Sequence, residues 1–135
     1  MDHATATLKI PSEVDDIRIV QDTIMERMHD AGFNGDSCFA VKLALEESLV
    51  NAVKHGNQFD PKRSVTIQYA ITPDCVRISV KDEGAGFDPQ KVPDPTAVEN
   101  LTKPSGRGIM LMRAYMDEVT YGDGGRSVTL VKKKR

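Results

Sequence analysis

The first half of the chain contains two segments in which apolar residues recur at helical spacing. The first starts near Ser12 and stops at Ala31-Gly32, and its apolar positions are Ile17, Val20, Ile24 and Met28. The second runs from the turn at 33–37 to about His55, with Asp36 or Ser37 as the expected N-cap. Because residues three and four apart share one face of a helix, both segments are predicted to be helices with a buried face.

Five further segments have the composition of β-strands, and two of them also alternate apolar and polar residues. They are ATLKIP at 6–11, SVTIQYAI at 64–71, CVRISVKD at 75–82, DEVTYG at 117–122 and SVTLVKK at 127–133. A short apolar segment at 108–116, GIMLMRAYM, is predicted to form a third helix. The pattern predicts an α+β fold, a two-layer sandwich of about five mostly antiparallel or mixed strands with three helices on one face. We expect one domain over residues 1–135.

The second predicted helix carries a polar stripe. Glu47, Asn51 and His55 are spaced four apart and share one face, whereas the expected core positions are Val41, Leu45, Leu49 and Ala52. Alanines at 40 and 44 flank Glu47 and leave space for a ligand. Lys42 and Glu46, four apart and opposite in charge, are expected to form an ion pair on the solvent side. The stripe is either a solvated or capping face or part of a site, and the helix alone favours neither.

Two glycine-containing segments are the other candidates for a site. Asp82 is the last residue of the predicted strand at 75–82 and lies on its inward-facing side. A carboxylate there is costly unless hydrogen-bond donors meet it. Gly84 and Gly86 then allow the backbone to approach a ligand closely. In SGRGIML at 105–111, glycines open the third helix, whose first N–H groups are suited to binding phosphate. Each motif taken alone is also common where no ligand binds.

Composition narrows the classes of function. The chain is 39% hydrophobic and 28% charged with a formal net charge of -2, which is typical of a soluble globular protein and gives no support to DNA binding. Neither a membrane-spanning run nor a signal peptide is recognisable. We therefore expect a cytoplasmic protein in which Cys38 and Cys75 are reduced thiols.

Three motifs occur in a fixed order: EESLVNAVKHGN at 46–57, DEGAGF at 82–87 and GRGIML at 106–111. This order resembles the ATPase domain shared by DNA gyrase, a heat-shock chaperone, sensor histidine kinases and MutL, in which the motifs are the N box and two glycine boxes. The small size and the segments ALEESLVNAVKHGN and LMRAYMDEV are similar to the bacterial anti-sigma-factor serine/threonine kinases. The resemblance covers nearly the whole chain.

The resemblance implies ATP and Mg²⁺ as cofactors and gives each residue a role by its position. Glu47 would be the general base, Asn51 would hold Mg²⁺, and Asp82 would accept a hydrogen bond from the adenine amino group. Residues 88–105 would form a lid over the phosphates. The other expected ATP-binding residues, besides Asn51 and Asp82, are Lys54, Gly84, Gly86, Phe87, Lys103, Gly106, Arg107, Gly108 and Ile109.

This chain also departs from the family pattern. Many relatives have Gly-Thr at the start of the final strand, with the threonine near adenine, whereas this chain has Gly125-Arg126-Ser127. We therefore leave that contact out of the expected site. A separate sensor or dimerisation domain is not expected.

Two classes of function follow from the resemblance. The first is an enzyme, a kinase that sequesters a sigma factor and phosphorylates a serine of a small antagonist protein. The second is a non-catalytic binding module gated by ATP. Retention of Glu47 favours the enzyme, because nucleotide binding alone has no need of a base. Direct contact with nucleic acid or membrane is not expected, and the sequence leaves a homodimer, the particular sigma factor and the upstream signal open.

Overall fold

The computed structural model describes residues 4–84 and 115–134. Two helices and five strands make up the regular structure of these ranges. In chain order they are β1 (Ala4–Pro11), α1 (Ile17–Asp30), α2 (Gly35–Asn51), β2 (Ser64–Ile71), β3 (Cys75–Lys81), β4 (Glu118–Gly122) and β5 (Ser127–Lys133). A 3-10 turn, Val14–Asp16, precedes α1, and a π-helical turn, Ala52–Gly56, continues α2.

The five strands form one sheet in the order β1-β2-β3-β5-β4. Every neighbouring pair in this sheet is antiparallel. The pairs β2–β3 and β4–β5 are hairpins of consecutive strands, and the predicted α+β class with a sheet of about five mostly antiparallel strands is confirmed. The predicted third helix lies almost wholly outside the described residues.

One face of the sheet is apolar and the two helices pack on it. Along β2 and β3 every second residue is buried, as period-two alternation requires when one face is covered. The residues that fill the space between the layers include Val20, Ile24, Met28, Val41, Leu45, Leu49, Val65, Ile67, Ile71, Val76, Ile78 and Leu130. On the opposite face Gln68 and Arg77 are exposed, so the described part is a two-layer sandwich.

Both ends of α2 differ from the expected ones. The N-cap is Asn34, whose side-chain oxygen accepts a hydrogen bond from the Ser37 N–H at 2.7 Å. The expected caps Asp36 and Ser37 are wrong because both residues already lie in the first helical turn. The regular α-helix ends at Asn51 rather than near His55, since the next residues form the wider π turn.

Among the described residues, no helix is both long enough and apolar enough to cross a membrane.

The core position Leu49 gives a direct test of this packing. Leu49 has no exposed surface, so Leu49→Ala should lower the free energy of unfolding by about 2–5 kcal/mol. Glu46→Ala is the matched control on the same helix, because Glu46 is exposed and such changes usually stay within about 0.5 kcal/mol. Denaturant unfolding of both variants measures the difference, and equal losses would contradict the assigned packing of α2.

Candidate functional site

The polar stripe of α2 is divided by the π turn. Glu47 and Asn51 are half-buried on one face of the regular helix, as expected from their spacing. His55 is exposed and lies in the π turn, outside the regular helix. Lys54, two turns after Glu47, is also exposed but lies close enough to affect the Glu47 carboxylate. The structure therefore keeps two members of the predicted stripe together and separates the third.

The surroundings of this pair differ from the expectation in one respect. Ala40 and Ala44 are buried, and the space expected beside them for a ligand stays a prediction. Lys42 and Glu46 are exposed as predicted. The ion pairs of the described residues do not join them, however, so that part of the prediction is wrong.

Glu47 is a half-buried carboxylate whose pKa is shifted by its surroundings. Burial raises its pKa above the ordinary glutamate range, and the negative charge of Glu46 raises it further. The positive charge of Lys54 acts in the opposite direction and is the smallest of the three effects. A carboxylate whose pKa is moved toward neutrality is better suited to accept a proton and release it again.

Asp82 follows β3 and is buried, with 8% of its surface exposed. It continues the inward-facing series of Val76, Ile78 and Val80, as the alternation predicts. Its Oδ1 accepts a hydrogen bond from the Gly84 N–H at 2.8 Å. Burial raises the pKa of Asp82, while that N–H and the charge of Arg126 partly offset the rise. The carboxylate is thus a desolvated acceptor with part of its capacity for hydrogen bonds satisfied by its own loop.

The end of α2 packs directly against this carboxylate. A Cβ placed on Gly56 would lie 2.4 Å from Cγ of Asp82, and one on Gly84 would lie 1.9 Å from the carbonyl oxygen of Gly56. Both distances are far below van der Waals contact, so only glycine fits at either position without movement. This contact brings the two candidate regions together. The π turn that follows Glu47 and Asn51 packs against Asp82 and Gly84.

Several expected site residues lie outside the described ranges. They are Gly86, Phe87, Lys103, Gly106, Arg107, Gly108 and Ile109, together with the lid at 88–105. Their places in the site stay predictions. Among the described residues, no group of three or more His, Cys, Asp or Glu side chains is arranged to hold a metal ion.

Comparison with known proteins identifies the family. The model of the histidine kinase-like ATPase domain matches residues 10–132. The chain belongs to this family. Its α+β sandwich is the fold of a solved relative: the crystal structure of the RsbU and RsbW domains of a Mycobacterium tuberculosis protein superimposes with a TM-score of 0.67 at 19% identity. That match covers 98% of this chain and 32% of the other.

Curated members of the family extend the comparison. The serine-protein kinase RsbW of Bacillus velezensis is 30% identical over 93% of this chain and 82% of its own length. RsbW of Bacillus subtilis is 29% identical with the same coverage. An RsbW from Listeria monocytogenes is 26% identical over 96% of this chain and 87% of its own. The similarity to these kinases therefore spans nearly the whole ATPase domain.

Within this ATPase domain, two residues beside Asp82 were not among the predicted site residues. Arg126 is one: its Nε donates to the Gly84 carbonyl at 2.7 Å, and its own carbonyl accepts from the Asp82 N–H at 2.9 Å. The omitted segment 125–127 therefore does contact the site loop, through an arginine. Asn57 is the other, a buried residue that stands at the end of the first motif and for which the resemblance implies no role. The burial of Asn57 would have identified it, but no local sequence pattern predicts that burial.

The fit of Gly56 against Asp82 can be tested with an alanine. Gly56→Ala should lower the free energy of unfolding because its Cβ would overlap the Asp82 carboxylate. Gly35→Ala is the matched control on the same helix, since a Cβ there meets nothing within 4 Å. That variant should be neutral or stabilising by about 0.4–1 kcal/mol. Thermal unfolding measures the stability of both variants. Equal changes in stability would refute the close contact between Gly56 and Asp82.

Asp82 should also make stability depend on pH in a predictable direction. Because the folded-state pKa is raised, the carboxyl contributes stability that is present below its unfolded pKa and lost as pH rises through the folded pKa. Asp82→Asn lacks this titration and keeps an oxygen for the Gly84 N–H. The variant should therefore be more stable than the wild type at neutral pH, and the gain should disappear in acid. Denaturant unfolding across pH measures this, and a gain independent of pH would contradict the raised pKa.

Proposed function

We propose that the chain is an ATP-dependent protein serine kinase that acts as an anti-sigma factor. It would sequester a sigma factor and phosphorylate a serine of a small antagonist protein, in the cytoplasm. Membership of the ATPase family and similarity to curated serine-protein kinases support this. The observation that carries the catalytic part is Glu47: a half-buried carboxylate with a raised pKa, one turn before Asn51, on the helix that ends against Asp82.

The adenine end of the proposed site is built around Asp82. Its carboxylate is desolvated, and Oδ1 already accepts from the Gly84 N–H. The remaining lone pairs suit the exocyclic amino group of adenine, whereas the carbonyl of guanine at the same place would meet a like partial charge. This chemistry favours ATP over GTP. Gly84 packs against the Gly56 carbonyl, so this end of the proposed site depends on the absence of a side chain at position 84.

The phosphate end of the proposed site lies along the face of α2. The Asn51 amide oxygen is a hard ligand of the kind Mg²⁺ accepts, and phosphate oxygens and water complete such sites without a protein carboxylate cage. This agrees with the lack of a carboxylate cluster in the described ranges. Bound Mg²⁺ would neutralise charge on the phosphates. Lys54 is exposed on the same side and would add a further positive charge.

Glu47 would act as the general base of the transfer. Its carboxylate takes the proton of the partner's serine hydroxyl while the serine oxygen bonds to the γ-phosphorus. The bond from that phosphorus to the bridging oxygen breaks, and ADP leaves. Phosphoryl transfer depends mainly on positioning and charge neutralisation, so an aligned base with an elevated pKa is a sufficient contribution from the helix.

Three alanine variants separate catalysis from binding. Glu47→Ala should lower phosphoryl transfer by about 10²–10⁴-fold while ATP binding stays nearly intact. Asn51→Ala should lose both activity and the Mg²⁺-dependent part of ATP affinity. Glu46→Ala, on the exposed side, is the control: it should leave ATP binding intact and lower transfer far less than Glu47→Ala, although it removes one cause of the raised pKa of Glu47. The measurement is transfer of label from γ-labelled ATP to the antagonist protein that co-purifies with the wild type, alongside calorimetric titration of Mg-ATP.

The dependence of the reaction rate on pH, on its acid side, gives an independent test of Glu47. Because the pKa of Glu47 is raised, kcat/KM should fall with decreasing pH at a higher pH than an ordinary glutamate would allow. Full transfer by Glu47→Ala would exclude it as the base. If wild type binds ATP but phosphorylates none of its co-purifying partners, the ATP-gated binding module replaces the kinase.

A further inference from the structure

Asn57 is a fully buried amide whose polar groups are all used. Its Nδ2 donates to Ser12 Oγ and to the Ser64 carbonyl, each at 2.9 Å. Its Oδ1 accepts from the Glu83 N–H at 2.8 Å. One side chain therefore bonds three separate segments of the chain. A buried amide satisfied in this way holds its partners in a single arrangement, because any alternative leaves a desolvated group unpaired.

Asn57 is also rigidly connected to the helix of the proposed site. Its N–H donates to the Ala52 carbonyl at 2.8 Å and so closes the π turn that follows Asn51. The next two residues, Gln58 and Phe59, adopt left-handed φ values of 52° and 57°. Such conformations are costly for residues other than glycine and persist only where the surroundings impose them. The position of the Asn57 side chain is thus set by α2 and not by a free loop.

The partner of Oδ1 is the residue directly after Asp82. Arg126 holds the residues on either side of it, through the Asp82 N–H and the Gly84 carbonyl. Glu83 itself is held by Asn57 through its N–H, while its side chain accepts from the Ser64 N–H at 2.8 Å. The backbone that aims the Asp82 carboxylate is therefore fixed at its centre by Asn57.

We propose that Asn57 is a positioning residue of the nucleotide site, which acts through the Glu83 N–H to hold Asp82 where it distinguishes adenine from guanine. This inference rests on the proposed function. Asn57 does not touch the nucleotide in this scheme. It transmits the position of α2, with Glu47 and Asn51, to the adenine end, so that base and phosphates are bound at a fixed separation. Binding groups need placement within about 0.5 Å to discriminate between ligands.

The experiment compares Asn57→Ala with Ser12→Ala. Both remove buried hydrogen bonds of the same network, since Ser12 Oγ also donates to the Arg63 carbonyl at 2.7 Å. Only Asn57→Ala removes the acceptor of the Glu83 N–H. The readout is the ratio of dissociation constants for Mg-GTP and Mg-ATP, measured by calorimetry at a temperature where circular dichroism shows each variant folded. A general loss of stability weakens the binding of both nucleotides and leaves the ratio of their dissociation constants unchanged.

We expect Asn57→Ala to lower the preference for ATP at least about tenfold, which corresponds to about 1.4 kcal/mol, and Ser12→Ala to retain it. Asn57→Asp keeps an oxygen for the Glu83 N–H and should also retain the preference at a temperature where it is folded, although losing the amide donor to the Ser64 carbonyl costs it stability. Asn57→Ser, whose hydroxyl is too short to bond the Glu83 N–H, should lose the preference as Asn57→Ala does, and it decides the matter if Asn57→Ala does not fold. Loss of the preference in Asn57→Asp or Ser12→Ala, or its retention in Asn57→Ala, overturns the inference. A wild type that binds neither nucleotide refutes the proposed function itself.

Discussion

The contact between Gly56 and the Asp82 carboxylate is the constraint on which the rest of the site depends. Because a Cβ on Gly56 would lie only 2.4 Å from Cγ of Asp82, no side chain fits between the end of α2 and the end of β3. This closeness brings together a helix and a strand that β2 separates along the chain. The helical segment that carries Glu47 and Asn51 therefore continues into a turn that contacts Asp82.

A buried carboxylate at this position requires a loop held by hydrogen bonds inside the protein. The hydrogen bonds around residue 83 supply them. Asn57 accepts from the Glu83 N–H, and Arg126 donates to the Gly84 carbonyl of the same loop. A partly satisfied network would be worse than an apolar one, but each side-chain polar atom of Asn57 has its partner. The segment after α2 and the segment before β5 thus both hold the loop that carries Asp82.

Both carboxylates of the site have raised pKa values, and in both burial is the leading cause. A structural carboxylate would be expected to gain a full partner that lowers its pKa. Here each positive group that lowers the pKa has a smaller effect than burial: Lys54 for Glu47, and Arg126 and Arg63 for Asp82. Keeping desolvated acids at the expense of folding stability is typical of sites whose chemistry needs a proton acceptor or a selective hydrogen-bond acceptor.

The sequence by itself determined the layers of the fold, because period-two and helical patterns are local records of which face is buried. It also determined the pairing of Glu47 with Asn51 and the inward position of Asp82, since both follow from spacing within one element. The tertiary structure alone decided the hydrogen bonds of Asn57, whose partners Ser12 and Glu83 lie 45 and 26 residues away. It likewise decided the contact of Arg126 with Gly84, 42 residues apart. Hydrogen bonds between distant segments leave no periodic signature, and they exist only once the strands and helices have packed.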